Sequence, residues 1–312
     1  MKRSKILLNL NKYNKLKMNI CVLIQQIYAM IYFYTLRNKK IQLEKKEIFL
    51  QGENESIIFE HNTISYNKDW ILIVLGGPFN KSNNYYIQQF LYPLIDKYNI
   101  GIVNHRGVHT LFYRDKATEH TDITGIKTIV KYISTQYNNN IYLAGFSLGS
   151  HIISLYLGTE DIPTNVKKFV GFSNYFDIEN HQKQINNSFI VHKHTVSECN
   201  KVSNKINNDL GMSIYVPSKT FDEIIKCAIK KLNYNTTQEY YNKSCKNYLE
   251  NIKVKTLFVN ALDDFLTTKE LLFNLKNNNK NKFINFLFTK KGGHLAWKFS
   301  FTSTIFVDFI NS

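Results

Sequence analysis

The word Gly145-Phe146-Ser147-Leu148-Gly149 stands between an apolar run ending at Gly145 and a helix-like run opening at Leu148. A chain that passes from strand to helix over so few residues must reverse sharply, with no room for side chains at the two flanking positions. The serine is then held strained at the tip of a strand, and the first amides of the following helix point at it. This restricts the chain to folds in which a strand runs directly into a helix.

The rest of the sequence supplies such a fold. Trp70 to Leu75, Ile100 to Asn104, Ile141 to Gly145, Val166 to Phe172, Val254 to Asn260 and Phe283 to Phe288 read as buried strands. Between them, Tyr85 to Tyr98 carries Ile87, Phe90, Leu91 and Leu94 at helical spacing, and Asp122 to Tyr137 carries Ile123, Ile126, Ile129, Val130 and Ile133 likewise. Strand and helix in alternation predict an α/β fold with a mainly parallel central sheet flanked by helices. Upstream, LEKKEIFLQG and ESIIFEHNTISYN alternate as short antiparallel strands that open the sheet. Residues 177–251 break the alternation with polar stretches and helical pieces such as Thr220 to Leu232, and read as an inserted helical cap. At 312 residues and 44% hydrophobic, the chain has enough apolar mass for one large domain over residues 41–312, preceded by a separate segment, 1–40.

A serine hydroxyl is a poor nucleophile near neutral pH, so a base must take its proton and a third group must orient the base. Downstream, an apolar strand ends in Asp263-Asp264, and Lys291-Gly292-Gly293-His294 follows the next strand. Ser147, Asp264 and His294 are the candidate catalytic residues. Asp264 is preferred because the acid in such loops follows shortly after a small residue, here Ala261, and Asp263 stays open as the alternative. The candidate oxyanion donors are the amide of Leu148 and one from the loop Gly76-Gly77-Pro78-Phe79. Pro78 has no N–H, which leaves Gly77 or Phe79.

Further words follow in order. They are Asn104-His105-Arg106-Gly107, Thr121-Asp122-Ile123, Gly145-Phe146-Ser147-Leu148-Gly149, Thr220-Phe221-Asp222, Tyr240-Tyr241, Ser244 and Gly292-Gly293-His294. From about Trp70 to the C-terminus they make the chain resemble the membrane-associated α/β-hydrolase-domain esterases and phospholipases. Leu75 stands where that family usually has a histidine, and the glycine loop is shortened. Lys255 and Phe265 replace usual prolines, and Ser150 a third glycine. No reacting group is lost, but the oxyanion loop and substrate preference depart from the pattern. The resemblance implies the α/β-hydrolase fold and a serine hydrolase that cleaves carboxylic esters of lipids, phospholipid or acylglycerol in type. It also implies a single N-terminal anchor. Two alternatives stay open: a lipid acyltransferase on the same serine chemistry, and a non-catalytic lipid-binding or scaffold homologue.

Residues 18–36 form an uncharged stretch flanked by Lys and Arg, with a Tyr/Phe cluster from Tyr28 to Tyr34. It reads as a membrane anchor or surface-lying helix, a helix packed on the domain, or a targeting segment, so the protein is expected to be membrane-associated or cytoplasmic. Forty Lys+Arg against 24 Asp+Glu give a net charge of +16, which reads either as the background of a chain rich in Asn, Lys, Ile and Tyr throughout or as attraction to anionic lipid surfaces, nucleic acid or acidic substrates. Arg is scarce and no arginine-rich arm or nucleic-acid motif is present, so nucleic acid is not an expected partner. Cys21, Cys199, Cys227 and Cys245 have no CxxC pairing, and His192-Lys193-His194 has no carboxylate or cysteine at a ligand spacing. No metal is expected. With no phosphate-binding or dinucleotide glycine fingerprint, no cofactor is expected either. His105, His109 and His120 are read as solvent-contacting or locally bonded.

Overall fold

A computed structural model describes residues 41–312 except 78–79, 114, 246–247 and 298–299. The expectations for residues 18–36 and for Phe79 lie outside the described residues. Among the described residues, eight strands form one sheet in the order β1-β2-β4-β3-β5-β6-β7-β8. β1 (Glu44–Phe49) and β2 (Ser56–Asn62) pair antiparallel, and β2 runs antiparallel to β4 (Asn99–Val103). From β4 the sheet is parallel through β3 (Trp70–Val74), β5 (Ile141–Phe146), β6 (Val166–Phe172), β7 (Lys255–Ala261) and β8 (Ile284–Thr289).

Every residue of β3 and β4 is buried, which is why Trp70 to Val74 and Ile100 to Val103 read as unbroken apolar runs. Their side chains alternate between two layers. Trp70, Leu72 and Val74 face α2 (Thr124–Gln136) and α3 (Leu148–Thr159), whereas Ile71 and Ile73 face α1 (Tyr85–Leu91) and α10 (Phe301–Ile310). Burying each such aliphatic side chain contributes about 1.5–3 kcal/mol. α1 ends at Leu91, short of the expected Tyr98, because Pro93 cannot donate a helical hydrogen bond. Leu94 still buries, in a turn where its amide reaches the Leu91 carbonyl at 2.8 Å.

Between β6 and β7 the chain forms α4 (Ile178–Asn187), α5 (Phe189–Leu210), α6 (Phe221–Lys231), α7 (Thr237–Cys245) and α8 (Tyr248–Asn251); α9 (Lys269–Asn278) follows β7. Local signals set these ends. Thr220 and Glu223 form a reciprocal capping box at the start of α6, and Gly211 closes α5 in the left-handed conformation. α4, α6 and α7 bury a core of their own, with Ile178, Ile185, Phe221, Ile225 and Tyr240, joined to the sheet edge through Leu266 and Leu148. No helix among the described residues is long and apolar enough to cross a membrane.

Candidate active site

Ser147 sits between the end of β5 and the first residue of α3, at φ 51° and ψ −116°. For a residue with a Cβ this backbone costs roughly 1–3 kcal/mol and persists only where its surroundings enforce it. The enforcement is visible. The Ser147 amide donates to Phe172 O on β6 at 2.8 Å, and its carbonyl accepts from the His151 amide at 3.1 Å. A Cβ on Gly145 would come within 2.8 Å of the Ser150 amide nitrogen, and one on Gly149 would overlap the Val74 carbonyl. The two glycines are therefore required by close backbone approach.

His294 is brought to the serine by the turn after β8. Gly292 and Gly293 take positive φ, and a Cβ on Gly292 would overlap the Trp297 indole. That indole is fixed by donating to Thr289 Oγ1 at 2.9 Å. His294 Nε2 lies 2.8 Å from Ser147 Oγ, and Nδ1 lies 3.0 and 3.2 Å from the two oxygens of Asp264. With these partners the ring carries its proton on Nδ1, donates it to the carboxylate, and accepts from the serine hydroxyl. Asp264 is buried, and its Oδ1 also accepts from the Leu266 amide at 2.9 Å. Asp263 plays a different part. It accepts from the Gly293 amide at 2.8 Å and lies 3.8 Å from Lys291, which steadies the histidine turn. The Phe265 ring stands 5.9 Å from the imidazole, partly covering it.

The candidate oxyanion groups border the same space. Leu148 opens α3, so its amide is among those with no carbonyl partner inside the helix. Gly77 takes φ +69°, and a Cβ on the preceding Gly76 would stand 2.9 Å from Ser147 Cβ, so this loop lies directly against the serine.

His105 corrects the expectation for the scattered histidines. It is buried, and its Nε2 donates to Leu75 O at 2.8 Å, 30 residues away, pinning the start of the glycine loop. Burial holds its pKa down, partly offset by that carbonyl. The neighbouring Arg106 is buried among Asp122 (2.6 Å), Glu53 (2.7 Å) and Glu55, tying the loop after β4 to the β1–β2 turn and the start of α2. His109 Nε2 reaches Glu60 at 3.0 Å. His120 bonds Tyr240 of α7 at 2.8 Å, where desolvation lowers its pKa to about 4.

Two further histidines carry no motif that sequence reasoning could seize on. His151, on the first turn of α3, stacks on Tyr175 (4.7 Å), which stacks on His181 of α4 (4.3 Å). Burial, with His120 and His294 adding smaller effects, takes His181 to about 3. His192 Nε2 accepts from the Phe221 amide at 3.3 Å. Among the described residues no group of three or more His, Cys, Asp or Glu could hold a metal ion.

The chain is 24% identical over 254 residues to a monoacylglycerol lipase of Saccharomyces cerevisiae, covering 73% of this chain and 54% of that protein. It is 25% identical over 268 residues to the human monoacylglycerol lipase ABHD2, covering 73% of this chain and 60% of that one. It thus spans a little over half the length of the curated relatives it matches. Among solved structures, an esterase of Pyrococcus furiosus aligns with TM-score 0.54 at 16% identity, over 86% of this chain and 90% of that one. A candidate lipase of Acinetobacter baumannii aligns with TM-score 0.57 at 14% identity, over 95% and 97%. No protein-family model matches the chain. Its fold is the α/β-hydrolase fold.

Proposed function

We propose that the protein is a serine hydrolase that cleaves carboxylic esters of lipids, of acylglycerol or phospholipid type, through an acyl-enzyme on Ser147. The observation that carries this is the hydrogen-bonded chain in which Ser147 Oγ lies 2.8 Å from His294 Nε2 and Nδ1 lies 3.0 Å from the buried Asp264. His294 takes the hydroxyl proton as Oγ attacks the ester carbonyl, and Asp264 holds the imidazole and stabilises the imidazolium. The Leu148 and Gly77 amides stabilise the tetrahedral oxyanion. The imidazolium then gives its proton to the leaving alcohol, and a water activated by the same ring releases the acid.

The lipid preference is supported by the likeness to two monoacylglycerol lipases. The test is labelling with a fluorophosphonate probe together with turnover of acylglycerol and phospholipid esters. The expected result is stoichiometric labelling lost in Ser147→Ala, with turnover lower by about 10⁶ as the whole triad fails together. Folded protein that neither labels nor turns over any ester would overturn the reading in favour of a non-catalytic homologue.

A further inference from the structure

β3 ends at Val74, which pairs with Val103 on β4 and Gly145 on β5. Leu75 follows, past the paired residues and fully buried. A carbonyl buried beyond the end of a strand needs a partner that the ladder no longer supplies. For Leu75 that partner is the imidazole of His105, whose Nε2 lies 2.8 Å from the oxygen. A carbonyl only accepts, so Nε2 carries the proton and donates it. Both residues are buried, so water does not compete for the bond.

What this bond holds is the loop against the serine. Gly76 and Gly77 have no side chains to anchor them, and Gly77 takes φ +69°. Ordering such residues costs roughly 1–2 kcal/mol each, and glycine has the most freedom to lose. The loop nevertheless lies in close quarters. A Cβ on Gly76 would stand 2.9 Å from both Ser147 Cβ and the Phe146 carbonyl oxygen, and one on Gly149 would stand 2.6 Å from the Leu75 carbonyl oxygen. That carbonyl is thus set between the first turn of α3 and His105, and because a peptide is planar its direction fixes the plane that leads into Gly76. The support is rigid in turn. Asn104 Nδ2 donates to Ile58 O at 2.9 Å, the Arg106 amide donates to Thr118 Oγ1 at 2.8 Å, and the Arg106 guanidinium is held by Asp122 and Glu53.

We propose that His105 is a positioning residue for ester hydrolysis, orienting through the Leu75 carbonyl the Gly76–Gly77 peptides that supply an oxyanion donor beside Ser147. The proposal rests on the reading of Ser147 as the nucleophile and adds to it a group that takes no part in moving the proton. An oxyanion donor acts when the tetrahedral state forms, so a loosened donor lowers kcat and leaves KM unchanged. Removing a whole donor costs about 10²–10³ in kcat, and removing its support is expected to cost part of that, about tenfold to a hundredfold.

The experiment compares His105→Leu with His105→Gln in the full chain. Leucine fills the site and cannot donate, whereas glutamine keeps an N–H donor long enough to reach Leu75 O. On a soluble short-chain ester, His105→Leu is expected to lower kcat about tenfold to a hundredfold with KM within about twofold of the parent, and to slow fluorophosphonate labelling in proportion. Amide hydrogen exchange in peptides covering residues 71–77 is expected to quicken in the same variant. His105→Gln is expected to stay within about fivefold of the parent in kcat and to keep the acid limb of its kcat/KM profile with pH. His105→Asn, polar but too short to reach the carbonyl, takes the place of the leucine variant if that one does not fold. Equal losses in the donating and non-donating variants, a loss carried by KM, or unchanged exchange at 71–77 would overturn the proposal. A parent that neither labels nor turns over any ester would sink the Ser147 reading and this one with it; a parent that labels, with non-donating variants that label equally fast, would sink this one alone.

Discussion

The adjacent carboxylates Asp263 and Asp264 offer the sharpest test of how the histidine is supported. Substituting either by Asn keeps size and one acceptor oxygen but removes the charge. At 264 the carboxylate is buried, sits 3.0 and 3.2 Å from Nδ1, and accepts the Leu266 amide. An amide there cannot stabilise the imidazolium and can present its NH₂ to Nδ1, which favours the wrong tautomer. The loss in kcat is expected to be about 10⁴, or about 5.5 kcal/mol of transition-state stabilisation. At 263 the carboxylate holds one amide, Gly293 N at 2.8 Å, and a partly exposed lysine at 3.8 Å. Asn can still accept from that amide, so the cost is about 1 kcal/mol and the loss at most about tenfold. The two variants should therefore differ by about three orders of magnitude in kcat/KM on a soluble short-chain ester, with thermal unfolding confirming that both fold. If Asp263→Asn is the more damaging, or Asp264→Asn stays within tenfold of the parent, the assignment of the acid is wrong.

Gly149→Ala drives a methyl group into the Val74 carbonyl, a backbone atom that cannot swing aside. It should cost about 1–3 kcal/mol and slow fluorophosphonate labelling at least about a hundredfold by displacing Ser147; labelling at the parental rate would contradict this. Arg106→Met leaves Asp122 and Glu55 buried without their cation, a loss of about 3–5 kcal/mol expected by urea unfolding at pH 7; a change below about 1 kcal/mol would show the network to be dispensable. His120 and His181 are held neutral, with folded pKa values of about 4 and about 3 against an ordinary 6.5. The unfolded chain therefore takes up their protons first, and the stability they contribute is present above pH 6.5 and lost as pH falls toward 4. For His120 the loss over that window is on the order of 3 kcal/mol. Unfolding temperature should drop between pH 7 and 4.5, and less steeply in His120→Phe; parallel slopes would refute the account.

The sequence carries those parts of the fold whose cause is local. Trp70 to Val74 and Ile100 to Val103 are buried on both faces, so their apolar runs have no gaps and mark strands without an alternating pattern. The turns at Ser147 and His294 show because close backbone approach admits only glycine at 145 and 149, and the Trp297 indole leaves no room for a side chain at 292. The end of α1 is harder to read because Leu94 keeps the helical spacing while Pro93 ends the helix. Adjacent aspartates at a strand end are alike in sequence, and only their reach to Nδ1 or to the Gly293 amide separates them. The bonds from His105 to Leu75 and from His120 to Tyr240 span 30 and 120 residues. Contacts of that kind leave no periodic mark in a single chain.

Those long-range contacts explain why a strained serine is tolerated in a loop-built site. Phe146, beside Ser147, is clamped between Phe90 (5.3 Å) and Phe172 (5.1 Å), so the turn cannot relax without opening the core between the sheet and α1. His105 fixes the glycine loop from β4, Arg106 fixes the loop that carries His105, and the Leu266 amide fixes Asp264 from beyond β7. Ser147, the glycine loop and Asp264 are thus held from different strand ends. The exposed apolar side chains Leu111, after β4, and Val216, between α5 and α6, rest instead on the small core around Val202 and Ile206, which shares no residue with the two cores flanking the sheet. Changes at those two positions can therefore leave the 2.8 Å approach of His294 to Ser147 intact, whereas changes at Phe146 or His105 act on the turn that carries Ser147 and on the loop beside it.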